Sequence, residues 1–283
     1  MNITYTTIHH DPEGRCNEQL RRHVSTLREL FVDGFVVVTR ATVDPSSEVG
    51  RENRELLEAA GFRLTIRSSI KERQLDSASD IALIAAEQRG KGDWIMTGLL
   101  DRTLHWLDTY PGELKSLLRR GLVGEDLLVI GRTERALLTH PRQQLDPELY
   151  TNCVTAEVLG MEKVDVAAGV PSLMTKETAR TIIDFLKGQH RVFNREVDIN
   201  DSAWPIIAKF KGKKLGYVEV EGLEFETPDQ YRREIAQLGY EEWIRRNFTE
   251  ANVQKRWERA YVTETRIKEF AQAIQNADGK ERN

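Results

Sequence analysis

The chain has 283 residues, of which 40% are hydrophobic and 30% are charged. This length is sufficient for one large α/β domain with an appendage. The net charge of −4 excludes the broad basic surface that sequence-independent binding of nucleic acid requires, so we expect no nucleic acid partner, although two or three local cations could still hold a small anionic ligand.

Cys16 and Cys153 are the only cysteines. Two thiols without C-x-x-C spacing form no disulfide scaffold, and we interpret both as reduced residues of the core. The first residues lack a basic segment followed by an apolar one, and no apolar run approaches the roughly 20 residues that a membrane-spanning helix needs. We therefore expect a cytoplasmic protein with no signal peptide and no transmembrane segment.

The first 66 residues predict strands and helices in alternation. Apolar and β-branched runs predict the strands, and apolar residues at helical spacing predict the helices between them, in the order strand 3–8, helix 20–31, strand 35–38, helix 44–61 and strand 62–66. Asp44 and Pro45 are interpreted as the cap and the first residue of the second helix. Such short spacing is typical of a parallel sheet with right-handed crossovers.

The alternation continues to residue 220. The later elements are predicted as a helix at 79–87, a strand at 94–99, helical pieces on either side of Pro111, a strand at 127–130, a strand at 164–169, helices at 176–188 and from 202, and a strand at 217–220. Residues 132–163 are polar and contain two prolines, and we interpret them as irregular.

The pattern changes near residue 227. Thr227-Pro228-Asp229-Gln230 has the form of a capping box with proline at the first helical position, and apolar residues recur beyond it at helical spacing. We therefore predict an α/β domain over residues 1–226, with a mostly parallel sheet and helices on both faces. A C-terminal helical extension over residues 227–283 is predicted to dock on it.

Common enzyme motifs are absent from the sequence. It contains no G-x-S-x-G, P-loop or G-x-G-x-x-G pattern, which excludes the common hydrolase, NTPase and dehydrogenase sites. His9 and His10 are adjacent on a predicted strand and point to opposite faces, so they cannot readily hold one metal ion together. No other histidines have the spacing of zinc ligands.

Polar residues follow the predicted strands at their carboxyl ends, where ligands bind in parallel α/β sheets. Aspartates there could serve as a base or contact a ribose or a metal, and arginines could bind a diphosphate. Each of these residues could equally be a helix cap or a solvated loop residue. The candidates are His10, Asp11, Arg15, Arg40, Asp44, Arg67, Asp101 and Arg102.

Residues 92–102, G-D-W-I-M-T-G-L-L-D-R, resemble the "G-D-[YW]-I, apolar strand, D-x-D" stretch of inverting GT-A glycosyltransferases of the family-2-like kind. Residues 79–87 lie where that family has a helix, and 36–44 resemble the strand that ends in its nucleotide-binding loop. Residues 165–169 resemble the strand and glycine turn at its acceptor site. The segments 200–205 and 213–217 resemble the region of its catalytic base. The resemblance covers about residues 1–225 in order.

The resemblance implies a GT-A, Rossmann-like fold and transfer of a sugar from a nucleotide-diphosphate sugar to a hydroxyl acceptor. By this resemblance Asp201 is the general base, Asp101 binds a divalent Mn²⁺ or Mg²⁺ ion or the donor ribose, and Gly169 and Trp204 contact the acceptor. We expect His10-Asp11, Asp101-Arg102 and Asp201 to converge on one cleft. The nucleotide sugar would be bound by His10, Asp11, Arg15, Arg40, Asp44, Arg67 and Arg102.

The sequence departs from the family at three positions. Leu99 stands where the first metal-binding acid belongs, which predicts weak metal binding, and Asn200 replaces the acid before Asp201. Residues 39–42 replace the family's D-x-S. A catalytically inactive GT-A-like nucleotide- or sugar-binding protein is therefore the alternative to a diverged transferase. A nucleotidyltransferase is a third option, disfavoured because no glycine-rich loop with a lysine follows the first strand.

Overall fold

The computed structural model describes residues 2–68, 78–188 and 200–281. A single seven-stranded sheet forms the centre of this described part. Its strands are β1 (Ile3–His9), β2 (Asp33–Thr39), β3 (Phe62–Arg67), β4 (Trp94–Thr97), β5 (Leu127–Arg132), β6 (Ser172–Thr175) and β7 (Leu215–Val220).

The strand order is β3-β2-β1-β4-β6-β5-β7. β6 runs antiparallel to both of its neighbours, β4 and β5. The other paired strands run parallel to each other. The predicted mostly parallel sheet is confirmed, and the reversed strand β6 is an addition to that prediction.

Helices connect the strands and follow the last one. They are α1 (Asn17–Leu30), α2 (Glu48–Ala59), α3 (Ala78–Arg89), α4 (Leu100–Thr109), α5 (Pro111–Arg120), α6 (Glu134–Leu138), α7 (Arg142–Leu159), α8 (Lys176–Gly188), α9 (Asn200–Phe210), α10 (Thr227–Gln230), α11 (Arg232–Leu238), α12 (Tyr240–Asn247) and α13 (Glu250–Glu281). Short 3₁₀ turns occupy Arg40–Val43 and Ala167–Gly169.

Two apolar cores cover the two faces of the sheet, as predicted. Side chains of successive strand residues point to opposite faces, and in β2 Phe35 belongs to one core and Val36 to the other. The Phe35 core also contains residues of α3, α7, α8, α9 and α13, whereas the Val36 core contains residues of α1, α2, α4 and α5. A strand with both faces covered in this way must be apolar on both, which explains the continuous run at 35–38.

The C-terminal helices pack against the rest of the chain. Ile267, Phe270 and Ile274 of α13 are buried in the same core as Ile207 of α9. No strand follows β7 within the described residues, which confirms the predicted helical C-terminal region. None of the described helices has the length and apolar character needed to cross a membrane.

The interpretation of residues 132–163 as irregular is wrong, because α6 and α7 occupy most of this range. The predicted strand at 164–169 is also wrong. The backbone amides of Val166 and Ala167 donate to Oδ1 of Asn152 on α7 instead of to a neighbouring strand. The strand of this region is β6, which begins only at Ser172.

Three smaller predictions also need correction. α2 begins at Glu48 with Ser47 as its cap, whose side chain accepts from the amide of Gly50, so Asp44 does not cap it. β4 ends at Thr97, short of the predicted residue 99. Cys16 is buried as predicted, whereas Cys153 is exposed.

Candidate ligand site

The chain reverses its direction of travel across the sheet at β1. From β1 it proceeds to β2 and β3 on one side, and it then returns to place β4 on the other side of β1. In open α/β sheets such a switch point leaves a crevice at the carboxyl ends of the two central strands, and ligands bind there. The carboxyl ends of β1 and β4 therefore mark the expected site.

A pocket opens at this switch point, and we call it the switch-point pocket. It contains about 440 Å³ of space, including its open mouth. Its lining comes from the ends of β1 and β4, the first turns of α3 and α9, and the loop that enters β6. The lining residues are Thr6, Thr7, Ile8, Ser79, Ala82, Thr97, Gly98, Leu99, Gly169, Val170, Ser172 and Trp204.

Three hydroxyl side chains form a row across the floor of the pocket. Thr6 of β1 pairs with Thr97 of β4, and Thr97 pairs with Ser172 of β6. Oγ1 of Thr97 donates to the carbonyl of Ser172 at 3.4 Å and accepts from its amide at 3.3 Å. Thr97 thus ties β4 to β6 as well as lining the pocket.

Trp204 and Leu99 form parts of the wall. Nε1 of the buried Trp204 donates to Oδ1 of Asp80, in the first turn of α3, at 3.1 Å, which fixes the indole across two helices. Gly169 has a φ of +71°, and a Cβ atom there would lie 2.8 Å from Cδ1 of Leu99. Close approach and a left-handed backbone together require glycine at this position.

A buried ion pair holds the loop that contains Gly169. Arg132, the last residue of β5, donates from Nε to Oδ2 of Asp165 at 2.7 Å and from Nη2 to Oδ1 at 2.9 Å. Asn152 donates to the same carboxylate at 2.7 Å. Burial raises the pKa of Asp165, but the charge and hydrogen bonds of Arg132 outweigh it, so that the pKa is lowered overall. The carboxylate therefore stays ionised and keeps residues 165–170 beside the pocket.

The predicted residues after β1 take part in local structure. Both carboxylate oxygens of the buried Asp11 accept from backbone amides, Oδ1 from Arg15 at 2.9 Å and Oδ2 from Cys16 at 2.8 Å, so this carboxylate holds the turn that leads into α1. His10 is exposed and makes a 2.8 Å hydrogen bond to Oγ1 of Thr39 at the end of β2.

Arg15 connects the loop after β1 to the C-terminal helices. Its guanidinium lies 2.6 Å from the carboxylate of Glu13 and 3.2 Å from that of Glu234, and it stacks 4.0 Å from the ring centroid of Tyr231. Burial lowers the pKa of Arg15, but these acidic partners raise it overall. The Arg15 guanidinium is therefore already paired with acidic and aromatic side chains of the same chain.

The predicted residues after β2 and β3 differ in their surroundings. Arg40 is exposed at the carboxyl end of β2, and its side chain has no hydrogen bond or ion pair among the described residues. Oδ1 of Asp44 accepts from the amide and the hydroxyl of Ser46, and these bonds lower the pKa of Asp44. Arg67 is the last residue of β3 and is half-buried.

Asp101 and Arg102 lie in the first turn of α4. Oδ1 of Asp101 accepts from the amide of Arg102 at 2.9 Å, and Oδ2 accepts from Nε2 of Gln230 at 2.7 Å. Arg102 is buried, with Nε 3.4 Å from Oε1 of the buried Glu226. Burial and the Asp101 carboxylate raise the pKa of Glu226, although Arg102 opposes them. Neither Asp101 nor Arg102 lines the switch-point pocket.

Asp201 lies in the first turn of α9, three residues before Trp204. Its side chain is outside the described residues, as are those of Asn200 and Ser202. The expected convergence of Asp201 with His10-Asp11 and Asp101-Arg102 therefore stays a prediction. Among the predicted residues, Gly169 and Trp204 line the pocket.

The described residues do not fit a protein-bound divalent ion. They contain no group of three or more His, Cys, Asp or Glu side chains able to hold a metal. Position 99 carries leucine, and both oxygens of Asp101 already accept hydrogen bonds. Hard divalent cations bind through several oxygen ligands, which this end of β4 does not offer.

No protein-family model matches the chain, and no curated protein matches it. One similar solved structure is glucosyl-3-phosphoglycerate synthase from Mycobacterium tuberculosis in complex with Mn²⁺, uridine diphosphate and phosphoglyceric acid. The two chains are 14% identical, and their superposition has a TM-score of 0.45 and covers 77% of this chain and 68% of that chain. A second, described as a mycobacterial protein, has 18% identity, a TM-score of 0.40, and 62% of this chain and 54% of that chain covered. The chain thus spans about half the length of the second structure. Similarity at this level carries no argument about function.

Neither the hydroxyl row nor the partner of Asp165 was predicted from the sequence. Thr6 and Thr97 lie within buried strands, where apolar residues are usual. A polar side chain at such a position could have indicated a ligand contact from the sequence alone. Arg132 was not singled out because it is 33 positions from Asp165, and no local pattern links the two residues.

Proposed function

We propose that the chain is a GT-A-type glycosyltransferase, which moves a sugar from a nucleotide-diphosphate sugar to a hydroxyl acceptor. The observation that carries this proposal is the switch-point pocket, with its row of hydroxyl groups and the indole of Trp204 in its wall. Hydroxyl groups and an aromatic face are suited to a sugar, which offers hydroxyls at its edge and C–H groups on its face. The helix that supplies Trp204 also contains Asp201, one turn earlier.

In this proposal Asp201 is the general base. It accepts the proton of the acceptor hydroxyl while that oxygen attacks the anomeric carbon. The new carbon–oxygen bond forms as the bond from the anomeric carbon to the diphosphate oxygen breaks, and the nucleoside diphosphate leaves with the electron pair. Attack from the face opposite the leaving group inverts the anomeric configuration.

Arg40 is the arginine that we propose for the diphosphate. It is exposed at the ligand edge of the sheet and has no side-chain partner among the described residues, whereas Arg15 and Arg102 lie against acidic side chains. A guanidinium binds phosphate oxygens through paired N–H donors. Gly169 and Trp204 remain the proposed acceptor residues, and because they also line the switch-point pocket, they would lie between the acceptor and the donor sugar.

A panel of nucleotide sugars, each with and without Mn²⁺, tests this function by thermal shift and by product formation. We expect at least one donor to raise the melting temperature and to be turned over. In Asp201→Asn we expect turnover to fall by at least about 10²-fold, because asparagine cannot accept the proton, while donor affinity changes only a few-fold. Asp184→Asn, in the exposed part of α8, is the matched control and should retain full turnover.

A non-catalytic GT-A-like binding protein is the second candidate. Leu99 at the position of a metal-binding acid, and the engagement of both Asp101 oxygens, favour it. It predicts that a nucleotide sugar binds without turnover. α9 begins at Asn200, so Asp201 lies within its first turn and is not its N-cap. If the role of Asp201 there is only structural, Asp201→Asn will leave any turnover unchanged.

A further inference from the structure

The hydroxyl row on the floor of the switch-point pocket is unusual for its position. Thr6, Thr97 and Ser172 are 2%, 5% and 7% exposed, and they lie in the middle of the sheet. Central strands with both faces covered are normally apolar there, because a buried hydroxyl must find a hydrogen-bond partner. Three such groups in register across three strands therefore call for a chemical explanation.

Thr6 differs from Thr97 in its bonding. Thr97 exchanges hydrogen bonds with the backbone of Ser172 and so stabilises the pairing of β4 with β6. Oγ1 of Thr6 has no hydrogen-bond partner among the described residues. An unpaired buried hydroxyl destabilises a fold, whereas valine has the same shape without this penalty. A threonine at this position is explained if a ligand in the pocket supplies the partner.

The lining residues carry no charged side chain among those that the structure describes. Beyond the hydroxyl row, Thr7 and Ser79 add two further uncharged polar side chains, and the other lining residues are apolar or small, with Leu99, Val170 and the indole of Trp204 in the walls. A carboxylate or ammonium group placed there would lose its hydration without gaining a counter-charge. The pocket thus suits a ligand part that is neutral and rich in hydroxyl groups.

We propose that the switch-point pocket is the subsite for the uncharged sugar ring of the donor, and that Thr6 selects this ring by a hydrogen bond to one of its hydroxyls. This inference rests on the proposed glycosyl transfer and adds the class of sugar, one without a charged group. A site that pairs a buried polar group with a substrate hydroxyl rejects analogues that cannot make that bond.

Titration calorimetry with the full chain tests the role of Thr6. The probes are UDP-, GDP- and ADP-glucose, the three nucleoside diphosphates alone, and UDP-glucuronic acid. In Thr6→Val we expect the affinity for the tightest-binding nucleotide-glucose to fall about tenfold, while the affinity for the corresponding nucleoside diphosphate changes less than about twofold. Thr6→Ser keeps the hydroxyl and should retain the wild-type affinity for both ligands. Equal losses for the nucleotide sugar and the diphosphate would place the nucleoside in the pocket and overturn the inference. Undiminished binding in Thr6→Val, or binding of glucuronic acid as tight as that of glucose, would also overturn it.

Melting temperatures separate a ligand contact from a structural role. Thr6→Val should melt at or above the wild-type temperature, because it removes an unpaired buried hydroxyl, whereas Thr97→Val should melt lower, because it removes two hydrogen bonds to β6. A marked loss of stability in Thr6→Val would show that its hydroxyl serves the fold.

A further experiment tests the subsite if no nucleotide sugar binds. Free glucose is then titrated while the indole N–H signal of Trp204, assigned with Trp204→Phe, is followed by NMR. A shift in the wild type that is absent in Thr6→Val supports the sugar subsite even though the proposed donor is refuted. No shift in the wild type refutes the subsite as well.

Discussion

Arg132 and Asp165 form a forked ion pair in the interior, with two parallel N–H···O bonds of 2.7 and 2.9 Å and at most 3% of either side chain exposed. The third guanidinium nitrogen, Nη1, donates to Glu148 at 2.8 Å. All nitrogens of Arg132 thus have acidic partners, so the buried charge is compensated. The pair joins the end of β5 to the loop that lines the switch-point pocket.

Removing one partner of this ion pair should be severely destabilising. Asp165→Asn leaves Arg132 buried without its main counter-charge, and we expect the free energy of unfolding to fall by about 3–5 kcal/mol. Urea unfolding monitored by circular dichroism measures the effect. Asp146→Asn, which breaks the exposed pair with Arg142 on α7, is the control and should change stability by less than about 0.5 kcal/mol. Similar losses in the two variants would refute the special role of the buried pair.

The stability of the chain should depend on pH through His105 and Asp229. Burial lowers the pKa of His105, but the hydrogen bond to Asp229, 2.7 Å long, and the nearby carboxylates raise it overall. Burial raises the pKa of Asp229, but the bonds from His105 and Arg232 lower it to about 2. A raised histidine pKa contributes stability fully below about pH 6.5 and loses it as the pH rises through the folded-state value.

We therefore expect His105→Gln to lose more stability at about pH 5.5 than at about pH 8.5. Unfolding by urea at the two pH values gives the difference. Asp229→Asn should reduce the same pH dependence, since it removes the main partner of His105 but leaves Glu224 and Glu226, and adding His105→Gln to it should remove the remainder. A loss in His105→Gln that is equal at both pH values would contradict the prediction.

A methyl group at residue 169 should strain the pocket wall. Gly169→Ala forces alanine into a left-handed backbone and places Cβ 2.8 Å from Leu99. The backbone cost is about 1–2 kcal/mol and the overpacking adds about 1–3 kcal/mol. Gly124→Ala is the matched control, because its φ is +87° and nothing lies within 4 Å of the added Cβ. The two losses of stability, measured by urea unfolding, should differ by the overpacking contribution, and equal losses would contradict it.

A carboxylate at position 99 should create a metal site. Leu99 is the N-cap of α4 and makes no side-chain capping bond, so aspartate is well tolerated there and stands two residues before Asp101. We expect Leu99→Asp to bind Mn²⁺ at least about tenfold more tightly than the wild type, because it adds a second carboxylate beside Asp101, whose oxygens each accept one hydrogen bond and keep a further lone pair for a metal. Calorimetry with Mn²⁺ alone decides this. Leu99→Asn retains the cap without the charge, and equal affinity in both variants would refute the prediction.

The alternation of strands and helices was predictable because local chemistry determines it. The apolar run at 35–38 and the proline break at Pro111 both gave the correct elements. α7 was missed because Pro147 interrupts its pattern and because it is buried on several sides. Polar residues such as Asn152 and Thr155 lie on its buried faces, so no single apolar stripe exists to be recognised.

The candidate site was only partly predictable. Gly169 and Trp204, chosen by resemblance, line the pocket, whereas Asp11 and Asp101 accept hydrogen bonds from neighbouring groups of the chain. A sequence pattern can place an aspartate at the end of a strand, but it does not show whether backbone amides will donate hydrogen bonds to its carboxylate. The alignment of Thr6, Thr97 and Ser172 depends on β6, a strand of only four residues that runs antiparallel to its neighbours. Nothing in its local sequence indicates that direction.

That reversed strand also has a consequence for the order of folding. The β3-β2-β1-β4 portion of the sheet comes from residues 3–97 and the β5-β7 portion from residues 127–220, and among the described strands only β6 hydrogen-bonds to both. The two portions are joined only through Ser172–Thr175, whose pairing with β4 is a non-local contact of the kind that slows folding. Thr6 and Thr97 lie together in the first portion, whereas Ser172 joins them only where β6 pairs with β4. The complete floor of the pocket therefore depends on the pairing of β6 with β4, and a change that frees β6 from the sheet would disrupt the pocket without touching Thr6 or Thr97.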